Sequence, residues 1–135
     1  ADGTLSLFDA RQEQSMKLED STGSSENAWL LPAAVEECVA ANPHVVGFNV
    51  MHTKMEAMAP ALQEVRKAWA GPLGCYPDFG VWERTGWATP QPLDGAQLAR
   101  EASKWSDEAG ASLFGGCCGV GAEHIAALRN WADRS

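Results

Sequence analysis

The feature that most constrains the fold is a repeated switch in hydrophobic period. Thr4-Leu5-Ser6-Leu7-Phe8 alternates apolar and polar residues, as a half-buried strand does. Leu31, Val35, Cys38 and Val39 then share one face at helical spacing, and Pro43 closes that segment. His44 to Met51 is nearly continuous in apolar character, which suits a strand covered on both faces. His52-Thr53 is expected to turn out of it. Met55, Met58, Leu62, Val65 and Trp69 recur at intervals of three and four and mark a packing helix that Gly71-Pro72 stops. A shorter strand follows at Pro72–Pro77, then a helix across Ala96–Ala109 with Leu98, Ala102 and Trp105 inward, ended by Gly110. Leu113 opens a strand that runs toward Cys117 and Cys118, and a last helix from Ala122 to Ala132 turns Ile125, Leu128 and Trp131 inward.

The order is β-α-β-α-β-α-β-α with no two strands adjacent in sequence. Strands that alternate with helices form parallel, right-handed βαβ units. The expected fold class is therefore α/β, built of parallel (β/α) units in a single domain over residues 1–135. Two polar stretches are expected as loops: Asp9–Asn27, and Asp78–Pro92, where Trp82 and Trp87 could line a pocket or form a lid.

Charge narrows the range of partners. Ten basic against 18 acidic residues give a net charge of −8, and the basic residues are scattered, which argues against nucleic acid. No apolar run approaches the ~20 residues that span a bilayer, so no membrane partner is expected. The first residues lack a basic region followed by an apolar core, and four cysteines at 38, 75, 117 and 118 form no regular framework. A reduced, cytoplasmic setting fits that usage.

In parallel α/β architectures chemistry gathers at the carboxyl ends of strands. Asn49, Val50 and His52 fall at one such end, Tyr76 and Asp78 at a second, Cys117 and Cys118 at a third. Adjacent cysteines have Cα atoms about 3.8 Å apart, closer than the roughly 4.4–6.8 Å of ordinary disulfides. A thiolate pair offered to one soft metal is the easier reading, and zinc, tetrahedral and tolerant of an open position, is the metal it favours. The bland alternative is a pair of buried, inert cysteines.

These residues resemble the homocysteine S-methyltransferase family. The family's Gly-x-Asn-Cys strand end reads Gly47-Phe48-Asn49-Val50 here, its Tyr-Pro-Asn strand end reads Tyr76-Pro77-Asp78, and its Gly-Gly-Cys-Cys-Gly element is present as Gly115-Gly116-Cys117-Cys118-Gly119, followed by Glu123-His124-Ile125. The last element is the specific one. The resemblance spans about residues 4–132 and implies the carboxyl-terminal half of a TIM-type (β/α)8 barrel. It also implies zinc on Cys117 and Cys118, with Asn49, Tyr76 and Asp78 as substrate-binding residues. The implied reaction moves a methyl group from a sulfonium, ammonium or folate donor to the thiol of homocysteine or a related acceptor, as in methionine biosynthesis.

Two positions depart from the pattern: Val50 stands where the first zinc thiolate belongs, and Asp78 replaces an Asn. His52, two residues beyond Val50, would share its side of an extended chain and is the candidate replacement ligand; Cys75 is a second. His124 is expected at the surface. Four strands do not close a barrel, so the resemblance further implies a partner, either an amino-terminal half-barrel or a second copy of the chain. The alternative to an enzyme is a non-catalytic subunit that has lost the zinc site, with Val50 as its mark.

Overall fold

The structure, a computed structural model, describes residues 4–9, 14–18, 31–79, 81–83, 86–88 and 94–134. In chain order the elements are β1 (Thr4–Asp9), β2 (Gln14–Leu18), α1 (Leu31–Ala41), β3 (Val45–Thr53), α2 (Met55–Ala68), β4 (Leu73–Pro77), β5 (Val81–Glu83), β6 (Gly86–Ala88), α3 (Gly95–Ala109), β7 (Leu113–Phe114) and α4 (Ala122–Ala132).

Three strands carry the parallel core. β3 pairs with β4 and β4 with β7, all in one direction, within a five-stranded sheet of order β2-β1-β3-β4-β7. Each parallel step crosses through helix, α2 from β3 to β4 and α3 from β4 to β7, as parallel neighbours require. Phe48, Val50, Leu73 and Cys75 belong to one buried cluster with Met58, Leu62 and Val65 of α2 and Leu98, Ala102 and Trp105 of α3. Alternate residues point to opposite faces of a strand. Asn49, Met51 and Tyr76, which are partly exposed, therefore belong to the other face.

The first unit departs from the expected pattern. β1 runs antiparallel to both β2 and β3, so two strands are adjacent in sequence and the parallel set has three members rather than four. Part of the polar stretch expected as a loop supplies β2. The Ser15–Lys17 segment alternates too weakly to announce a strand, and the four residues between β1 and β2 are too few for the crossover that a parallel pair needs, so the two strands pair antiparallel. The second expected loop likewise holds a short hairpin, β5–β6, with Trp82 and Trp87 at facing register positions; its remaining residues 80, 84, 85 and 89–92 lie outside the described set.

Local chemistry fixes the helix ends that position the site. Asp94 accepts a hydrogen bond from Ala96 N–H at 3.0 Å and starts α3, an N-cap worth about 1 kcal/mol. Gly110, at φ 64°, ends it in the left-handed conformation that glycine adopts without penalty. Arg66 ties the ends of α2 and α3 together. Its guanidinium donates to the carbonyls of Ala109 (2.8 Å), Trp69 (3.1 Å), Gly71 (2.7 Å) and Gly110 (2.9 Å), consuming carbonyls that helix termini leave unpaired.

α4 corrects one detail. His124, expected at the surface, is 5% exposed, and Ile125, expected inward, is 45% exposed. His124 Nδ1 accepts from Gly121 N–H at 2.8 Å, so the side chain folds back over the first turn as in a capping box. Leu128 and Trp131 turn inward as expected, and His124 takes the place of Ile125 in that stripe.

Candidate metal centre

β3, β4 and β7 are parallel, so their carboxyl ends share one rim, where Asn49, His52, Tyr76, Asp78, Cys117 and Cys118 gather. The strand of β7 is only two residues long, yet its pairing with β4 continues as isolated backbone bonds. Gly115 N–H donates to Cys75 O (3.1 Å), Cys117 N–H to Pro77 O (3.0 Å) and Phe79 N–H to Cys118 O (2.9 Å). The two cysteines therefore lie just beyond β7, past a strand shorter than expected, and are held by backbone bonds to Pro77 and Phe79 at the end of β4. Asp78 N–H donates in turn to Thr53 O at 2.9 Å, which brings the end of β3 into the same weave.

His52 reaches the cysteines because β3 does not end where the sequence suggests. The strand continues to Thr53, and its register against β4 shifts between Met51 and Thr53. His52 occupies that irregularity at φ 54°, the one non-glycine with positive φ among the described residues. His tolerates the left-handed region better than most side chains, and a bulge re-aims the side chain it carries. The result is that His52 Nδ1 lies 3.2 Å and Nε2 3.9 Å from Cys117 Sγ, while Cys117 Sγ and Cys118 Sγ are 3.9 Å apart. The three donor atoms all fall within 4.8 Å of one another, and all three residues are partly exposed.

The two spacings that Cys117 makes are close to those of a tetrahedral ion. Bond lengths of about 2.3 Å to sulfur and 2.0–2.1 Å to nitrogen put two sulfurs about 3.8 Å apart and a sulfur and a nitrogen about 3.6 Å apart. The observed sulfur pair is within 0.1 Å of that, and the two ring nitrogens bracket the second value. Two thiols and an imidazole are also the donor types a zinc site uses.

Burial and neighbouring groups oppose unassisted ionisation of Cys118. The Cys118 thiol is pushed up, first by burial, then by its hydrogen bond with Cys117 and by the charges of Cys117 and Asp78. A cation among the sulfurs would reverse that balance, because it favours the thiolate outright. Asp78 is 8% exposed and carries Lys54 Nζ 3.8 Å from its Oδ1. Lys54, directly after β3, is a rim residue that sequence reasoning missed; a basic residue four positions beyond Val50 was the only signal.

Asn49 rests on a glycine of β4, and Tyr76 on the glycine that directly follows β7. A Cβ at Gly74 would overlap the Asn49 carboxamide, and one at Gly115 would overlap the Tyr76 ring. Asn49 Oδ1 is buried and has no hydrogen-bond partner within the described structure, a rare condition for a buried polar atom. Val50 and Cys75, by contrast, do not face this rim. Val50 is 2% exposed and Cys75 fully buried, both in the cluster shared with the helices. Burial drives the Cys75 thiol up to about 12, and its Sγ donates weakly to Leu113 O at 3.9 Å. Cys75, the second candidate ligand, is thus a core residue.

No helix among the described residues is long and apolar enough to cross a membrane. No solved structure matches the chain. The homocysteine S-methyltransferase family profile matches residues 14–132, a span that contains β3, β4, β7 and every residue of the rim. With that match, the chain belongs to the homocysteine S-methyltransferase family.

Proposed function

We propose that this chain forms part of a zinc-dependent methyltransferase that moves a methyl group from a donor to the thiol of homocysteine or a related acceptor. The observation that carries the reading is the convergence of His52, Cys117 and Cys118 at the carboxyl rim of the three parallel strands. Cys117 and Cys118 would hold the zinc, with His52 in reach. When bound there, zinc supplies Lewis acidity that lowers the acceptor thiol's pKa and leaves a nucleophilic sulfur at neutral pH.

The chain's own residues orient the acceptor. Asn49 Oδ1, buried without a hydrogen-bond partner among the described residues, is placed to accept an N–H of the substrate, such as the ammonium group of an amino acid. The Tyr76 ring, seated on Gly115, walls the same face one strand away. Asp78 adds a carboxylate beside Cys118, with Lys54 balancing its charge. In the transfer the acceptor sulfur forms a bond to the methyl carbon, the donor's heteroatom–methyl bond breaks with its electron pair leaving on the donor, and the thiol proton is released beforehand.

The reading includes a partner, because three parallel strands do not enclose a barrel. β7 ends the sheet, and Leu113 on it is 45% exposed; an amino-terminal half-barrel or a second copy would pair there. Light scattering on the purified chain, alone and with a candidate half-barrel, tests this. A well-behaved 14.4 kDa monomer that takes up no partner would count against it.

Metal analysis tests the chemistry. Stoichiometric zinc that is lost in Cys117→Ser, with the fold intact, is the expected result. A protein that folds and binds no zinc under any condition would instead support the non-catalytic subunit, which Val50 favours by removing one thiolate from the family's set.

A further inference from the structure

We propose that the His52 imidazole replaces the thiolate that Val50 does not supply, so that the centre is built from two thiolates and one nitrogen, with the ligand moved two residues along β3 by the bulge. The inference rests on the reading of the rim as a metal centre and concerns which residues of this chain complete it.

Three observations combine. Val50 occupies the position of the family's first ligand but is 2% exposed and packed in the cluster shared with α2 and α3. Residues of one parity in a strand share a face, so an unbroken β3 would carry residue 52 to the same covered side. The register shift between Met51 and Thr53 interrupts that parity. With φ at 54°, the backbone of His52 takes a conformation that costs most side chains energy, and the side chain it turns arrives 3.2 Å from Cys117 Sγ. The departure from the family at position 50 and the backbone irregularity at position 52 thus have one explanation.

The swap alters the charge of the centre. A divalent ion with three thiolates carries net −1, whereas with two thiolates and a neutral imidazole it carries zero. An anionic acceptor sulfur meets less repulsion in the second case.

Cobalt(II) substituted for zinc reads the ligand set without reference to activity, since sulfur-to-cobalt charge-transfer absorption scales with the number of thiolates. The wild-type chain should show two-thiolate intensity. His52→Asn, which keeps a side chain tolerant of positive φ but offers no imidazole, should retain that intensity and weaken cobalt binding at least tenfold. His52→Cys should raise the intensity by about half, from two thiolates to three. Val50→Cys should leave it unchanged, because that thiol faces the covered side. Circular dichroism on each variant establishes that it folds. Unaltered cobalt affinity in a folded His52→Asn, or a third thiolate appearing in Val50→Cys, would overturn this assignment while leaving the metal centre standing. Failure of the wild-type chain to bind cobalt through Cys117 and Cys118 at all would instead bring down the metal reading itself.

Discussion

The Asn49 carboxamide occupies the space that a side chain on Gly74 would fill. The two residues are register partners on parallel strands, and glycine inside a strand often marks such a close approach. Gly74→Ala should therefore destabilise the chain by roughly 1–3 kcal/mol, the ordinary range for overpacking. Asn49→Ala should remove most of that cost in the double variant, since the collision is then gone. Urea denaturation of the four proteins as a double-mutant cycle measures the coupling; additive effects would mean that Asn49 is not what Gly74 accommodates.

Arg66 joins the ends of two helices through four carbonyls, with no carboxylate partner among the described residues. Lysine keeps the charge but not the planar fork. Arg66→Lys should cost roughly 2–3 kcal/mol, because several partly buried carbonyls lose a charged donor. Thermal unfolding checks it, and a loss equal to that of an exposed lysine-to-alanine change would show that water replaces the clamp freely.

Cys75 predicts the alkaline limb of stability. Its folded-state thiol is raised from the ordinary 9.0 to about 12 by burial, so the unfolded chain loses this proton first as pH rises. Where the unfolded state binds fewer protons, stability falls with increasing pH. The contribution is fully present below about pH 9 and disappears progressively between 9 and 12. Cys75→Val, with similar volume and no proton to lose, should flatten that decline in a pH series of denaturation curves.

Metal affinity should fall with acidity, because cysteine ligands bind as thiolates and release their protons. The raised Cys118 thiol places the onset of that fall at higher pH than an unperturbed cysteine would. Removing the nearby charge with Asp78→Asn, which restores the residue type the family carries, should lower the Cys118 thiol and strengthen zinc binding near pH 7. Competition with a chromophoric chelator across pH 6–9 measures both effects.

The Phe114 and Trp131 rings meet edge to face at 5.0 Å and 88°, fastening β7 to α4 three residues before Cys117. Trp131→Ala should cost roughly 3–5 kcal/mol as a large aromatic truncation and expose the Cys117-Cys118 loop. Faster maleimide labelling of Cys117 in a still-folded variant is the expected sign; unchanged labelling would show that the β4 backbone bonds hold the loop alone.

The sequence by itself determined the α/β character of the chain, the helices and the inner faces of α2 and α3, the family, and the gathering of Asn49, Tyr76, Asp78, Cys117 and Cys118 at strand ends. Those follow from hydrophobic period and a specific motif, which are local. Only the tertiary structure decided that β1 and β2 turn back antiparallel, that the apolar stripe of α4 yields to His124, and that His52 rather than Val50 approaches the sulfurs. Each depends on a partner distant in sequence or on a single backbone angle: the pairing choices of an edge strand, a side chain folded onto Gly121, and a bulge whose positive φ no residue pattern records.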